Sequence, residues 1–168
     1  MKSHGFQHDL FRDFANCGIE LSQAEQETVQ EAFKILERIL RVHGVGLSCS
    51  DQVADYLKLT IATRPHESFV VLFLDSQHRL IEAQEMYRGT INHISVFPRD
   101  IAEQALRLNA GACILCCNRP AGISQDTSQD QSFSHKIKDA LAIFDIQVLD
   151  YVTISGTNHQ SLTQLGLL

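Results

Sequence analysis

The chain has 168 residues, enough for one domain with a full core and too few for two comfortable ones. Hydrophobic residues make up 44% and charged residues 20%, with no apolar run long enough to cross a bilayer, so an ordinary globular domain is expected. The formal net charge of -6 argues against a dedicated nucleic-acid binder, whose affinity rests on neutralising phosphates with a basic surface.

The opening stretch, Met1-Lys2-Ser3-His4-Gly5-Phe6, lacks the apolar core of a signal peptide, and a cytoplasmic location is the expectation. Phe6, Leu10, Phe11 and Phe14 hint at a short amphipathic arm that packs either on the domain or on a second copy. Ser22 followed by Glu25 is a capping-box pattern. It opens a long helix in which Val29, Ala32, Phe33, Leu36, Ile39 and Leu40 form an apolar stripe, ended by Gly44 and Gly46. Ser50 and Asp51 cap a second helix through Val53, Ala54, Leu57 and Ile61, closed by Pro65. Residues 1–44 read as an N-terminal helical extension and 45–168 as the domain proper.

The hydrophobic period then changes. Phe69-Val70-Val71-Leu72-Phe73-Leu74 is apolar on both faces, as in a buried central strand. After a turn at Asp75–His78, residues 79–87 read as a second, antiparallel strand, and Ile91, Ile94 and Val96 as a third strand or an extended segment. Pro98 opens a helix through Ile101, Ala105 and Leu108. A short buried strand follows at 112–117, then a polar loop from Asn118 to Asp130. The next helix has Phe133, Ile137, Ala140, Leu141 and Phe144 as its expected buried stripe. A strand over 146–154, a turn at 156–159 and a closing segment complete the chain. Helices alternating with strands predict an α/β fold, a three-layer mixed β-sheet flanked by helices.

Five cysteines, at 17, 49, 113, 116 and 117, read as reduced core thiols. Cys113 and Cys116 have CxxC spacing, but on a strand their side chains point to opposite faces, which disfavours a shared metal or redox role. The eight histidines are scattered along the chain, and His66 reads as a surface or rim residue.

The chemistry concentrates where the strand ending Cys116-Cys117-Asn118-Arg119-Pro120-Ala121-Gly122 runs into Thr127-Ser128-Gln129-Asp130. This stretch resembles the RadC family, a branch of the JAMM/MPN (JAB-like) metallopeptidase fold, related in shape to cytidine deaminases. That family carries His-Asn-His-Pro-Ser-Gly followed by Ser-x-x-Asp at this spacing. The resemblance extends through Glu67 to Asp75, Gly89 to His93, Phe97 to Ile101 and Val148 to Tyr151, where the family has His in place of Tyr151.

The resemblance implies a zinc site of two imidazoles and a carboxylate, with a glutamate as base for the bound water and a serine beside the oxyanion. Glu67, Asp130 and a hydroxyl at Thr127 remain, but the two imidazole positions are Cys117 and Arg119. A thiolate could ligate zinc, whereas guanidinium has no free lone pair and stays charged. No resident metal or cofactor is therefore expected, and zinc only if a third ligand such as His93 or His135 joins the site. Arg119 is expected to replace the cation internally by pairing with Glu67, Asp130 or both. A lesser alternative is nucleophilic chemistry at Cys117, with Arg119 lowering its pKa. Two functions follow. One is a non-catalytic module that binds a protein partner through the inherited cleft, or self-associates through the long N-terminal helix. The other is a zinc-dependent hydrolase of the peptidase or DNA-repair-associated RadC type.

Overall fold

The computed structural model describes residues 22–42, 50–62, 64, 66–89, 96–122 and 127–168. The N-terminal arm, Gly44, Gly46, Pro65 and His93, like most of the third strand expected over Ile91–Val96, lie outside the described residues. Val96 itself is a buried, non-strand residue.

Helix α1 (Gln23–Val42) begins as its capping pattern dictates. The Ser22 amide donates to the Glu25 carboxylate at 2.8 Å, and the Glu25 amide donates back to the Ser22 hydroxyl at 3.4 Å. Helix α2 (Ser50–Thr60) is followed by a five-stranded sheet and two further helices. These are β1 (Ser68–Leu74), β2 (Leu80–Arg88), α3 (Pro98–Arg107), β3 (Ala112–Asn118), α4 (Ser128–Ala142), β4 (Gln147–Ser155) and β5 (Asn158–Ser161).

The sheet order is β2-β1-β3-β4-β5. Strand β1 runs antiparallel to both neighbours, and β3 and β4 run parallel, joined through α4 as a parallel pair requires. Because β1 and β3 are covered on both sides, every residue in each is buried. On one face Val70, Leu72, Ile114, Cys116 and Val152 pack under Val53 and Leu57 of α2 and Ile61 just beyond it. On the other, Phe69, Val71, Leu115, Cys117 and Tyr151 pack under Ile101 of α3 and Ile137 and Leu141 of α4. Cys113 and Cys116 accordingly lie on opposite faces. The mixed sheet flanked by helices is the architecture that the alternation of elements requires.

Two local readings change. Phe144 lies beyond the end of α4 and is exposed, while the buried positions of the helix include Asp130 and Ser134. A polar residue takes the stripe because the first turn of α4 faces the site, where the rest of the helix faces the core. The expected turn over 156–159 is only Gly156-Thr157, with Gly156 at φ 56°. Asn158 and His159 already belong to β5, because the tight hairpin lets pairing with β4 start at Ser155↔Asn158.

Candidate functional site

The site forms at one end of the sheet, where the end of β3 brings Cys117 and, just past the strand, Arg119, the residue before β1 is Glu67, and the first turn of α4 delivers Asp130. After β3 the chain turns sharply. The Gly122 amide donates to the Arg119 carbonyl at 3.1 Å, and Gly122 adopts φ 108°, a conformation that favours glycine. The Arg119 amide is anchored to the Ile154 carbonyl at 2.8 Å, so the ends of β3 and β4 are tied together beneath the loop.

Arg119 Nη2 donates to Asp130 Oδ1 at 2.5 Å, with side-chain exposures of 24% and 11%. The same oxygen accepts the Tyr151 hydroxyl at 3.1 Å. Burial holds Tyr151 well above its ordinary value, so it is a neutral donor. Its ring is wedged by Phe69 and Phe133, with centroids 6.5 and 6.4 Å away, and Phe69 and Phe133 meet edge to face at 5.6 Å. The aromatic wall fixes the Tyr151 ring, the ring fixes the hydroxyl, and the hydroxyl helps to fix Asp130. The Tyr151→Phe variant should therefore lose about 1.5 kcal/mol, typical of a hydrogen bond to a charged group. Urea denaturation of the two proteins checks this, and equal stability would contradict it.

Charge accounts for the protonation of each group. Burial lifts the Asp130 carboxyl, with the Arg119 cation and the Tyr151 hydroxyl pulling it back. Burial works against the Arg119 charge, and the Asp130 carboxylate leads the groups that more than offset it. Burial also raises Glu67, Asp130 adds to this, and Arg119 partly offsets it. Among the described residues no ion pair joins Glu67 to Arg119, so Arg119 pairs with Asp130 and reaches Glu67 only through its field.

Glu67 has a definite consequence for stability. Its folded value lies above its unfolded value, so its contribution is complete below the ordinary glutamate range of about 4.3 and is lost as pH rises through the folded value. The stability of the natural chain minus that of Glu67→Gln should fall between pH ~4 and ~7. Urea titrations across that range check it, and a rising difference would contradict it.

Cys117 is buried, and its thiol is pushed up to about 11 by that burial, with Arg119 offsetting only part. This corrects the expectation that Arg119 would activate it, since desolvation of a thiolate here outweighs the nearby cation. Thr127 caps α4 through its carbonyl, which accepts from the Gln131 amide at 2.8 Å, and its hydroxyl makes no capping bond. His135 is exposed on α4 with Nε2 2.9 Å from the Leu167 carbonyl oxygen, and His66 is half-buried.

The donor set does not fit a divalent ion. Of the two positions where the resemblance implies imidazoles, one is a guanidinium and the other a thiol held protonated, and Asp130 Oδ1 is committed to Arg119 and Tyr151. Among the described residues no three His, Cys, Asp or Glu side chains are grouped to hold a metal.

The parts played by Tyr151 and Phe133 are not evident from the sequence pattern. The exchange of the family's His for Tyr151 was the available signal, because a buried tyrosine needs a hydrogen-bond partner.

The mixed sheet, its covering helices and a site at the end of β3 define a JAB/MPN-like α/β domain. The profile of the RadC-like JAB domain matches residues 47–167, and the chain belongs to that family. A UPF0758 protein of Polaromonas sp. is 45% identical over 121 residues, 72% of this chain and 54% of its own length. Another from Methylibium petroleiphilum is 45% identical over 116 residues, 69% of this chain and 52% of its own length. A third, from Vibrio cholerae, is 40% identical over 144 residues, 86% of this chain and 90% of its own length. The chain thus spans about half the length of the first two of these relatives. Among the described residues no helix is long and apolar enough to cross a membrane.

Proposed function

We propose that this is a non-catalytic RadC-like JAB domain, a cytoplasmic protein-interaction module in which the Arg119 guanidinium takes over the electrostatic duty of a bound zinc ion. The observation that carries the reading is the Arg119–Asp130 pair, which sets a permanent cation on the carboxylate that the family pattern assigns to the metal. An unpaired Asp130 in this buried place would be costly, and the pair removes that cost without a ligand. The net charge of -6 favours a protein partner over nucleic acid. The retained Asp130, Glu67 and Thr127 favour a second reading, a zinc-dependent hydrolase with an atypical metal site. Zinc content of the purified chain, measured before and after chelation together with peptide and DNA hydrolysis, separates the two. The non-catalytic reading expects substoichiometric zinc and no chelator-sensitive hydrolysis. One zinc per chain whose removal abolishes hydrolysis would establish the enzyme instead.

A further inference from the structure

Asn118 stands between Cys117 and Arg119, yet on a strand its side chain leaves by the opposite face of the sheet. There Nδ2 donates to the carbonyl oxygens of Arg64 at 3.3 Å and His66 at 3.0 Å, the backbone that leads into Glu67. Asn118 is fully buried, and its Oδ1 has no hydrogen-bond partner among the described residues. A buried amide with an orphaned acceptor is a poor choice for stability alone, because the unmet oxygen keeps its full desolvation cost.

The receiving backbone is itself held. The Arg64 side chain is buried, with Nη1 2.7 Å from Glu85 Oε1 on β2 and 3.2 Å from the Ser68 hydroxyl. Ser68 pairs directly with Asn118 across β1 and β3, and the Glu67 carbonyl accepts the Gly89 amide at 2.9 Å. Residues 67 and 117 and residue 119 serve one face, and residues 68 and 118 serve the other. The polar contacts behind the sheet therefore set the distance between the groups in front of it.

We propose that Asn118 is the positioning residue of the site: by tying the end of β3 to the backbone before Glu67, its amide sets Glu67 against Arg119. This rests on the reading of Glu67, Arg119 and Asp130 as one charge cluster. It makes the Glu67–Arg119 interaction conditional on a side chain that touches neither.

A mutant box tests it. Glu67→Gln and Arg119→Gln, singly and together, give the coupling between these residues from urea denaturation at low ionic strength. The same box is then measured in an Asn118→Ala background. The expected result is a favourable coupling in the natural background that falls to within error once Asn118 is truncated. A purely structural role would weaken all four proteins alike and leave the coupling intact, and that outcome overturns the proposal. No coupling in the natural background would instead sink the charge cluster itself, and the proposal with it. If Asn118→Ala fails to fold, Asn118→Ser carries the same box, since its short hydroxyl cannot serve both carbonyls.

Discussion

Replacing Cys117 and Arg119 together by histidine is expected to give a chain that binds one zinc ion, where the natural chain is expected to bind none tightly. The prediction follows from what the site retains. Asp130 already projects from the first turn of α4, Glu67 lies within its electrostatic reach, and the Gly122 turn that shapes the loop is intact. Only the two donor groups differ from the pattern of two imidazoles and one carboxylate that leaves a fourth position open. Removing Arg119 also frees Asp130 Oδ1. Zinc affinity should rise by at least about a thousandfold, roughly 4 kcal/mol. Saturating zinc at about a hundred times the dissociation constant should then stabilise the double variant by about 2.7 kcal/mol. Equilibrium dialysis and thermal melts with and without chelator measure both. A folded double variant that ignores zinc would show that more than two ligands has been lost.

Arg119→Ala, with no metal to replace it, should do the reverse and destabilise the domain. Breaking a buried ion pair costs about 3–5 kcal/mol when the remaining charge is left without a partner. Here Arg119 keeps 24% of its side chain exposed and Asp130 retains the Tyr151 hydroxyl, so about 2–3 kcal/mol is expected. Asp130→Asn in the Arg119→Ala background should recover a large part of the loss, because it removes the stranded charge. Denaturant midpoints of the three variants test the pair. A loss within error for Arg119→Ala would mean that the ion pair is ornamental and that Asp130 is content without a cation.

The fold was legible because its signals are local. Ser22 with Glu25 announces a helix start, six consecutive apolar residues at 69–74 announce a strand covered on both faces, and Pro98 stands at the start of its helix. The site was half legible. The spacing from Cys117 to Asp130 places the residues, and the charge on Arg119 says what it can bind. It does not say which carboxylate it binds, and the choice of Asp130 over Glu67 depends on the first turn of α4 meeting the end of β3. The hydrogen bond from Tyr151 to Asp130 spans 21 residues, and those from Asn118 to the carbonyls of Arg64 and His66 span 54 and 52. No periodicity carries contacts of that kind, because they depend on which strands become neighbours. Phe144 differs for another reason: helical spacing continues on paper beyond the point where the chain leaves α4.

Crystals of the natural chain grown with excess zinc, with diffraction recorded on both sides of the zinc absorption edge, bear most directly on the central claim. The expected map has no anomalous peak between Cys117 and Asp130, and the Arg119 guanidinium lies on the Asp130 carboxylate. A peak at full occupancy there, with Arg119 swung aside, would contradict it.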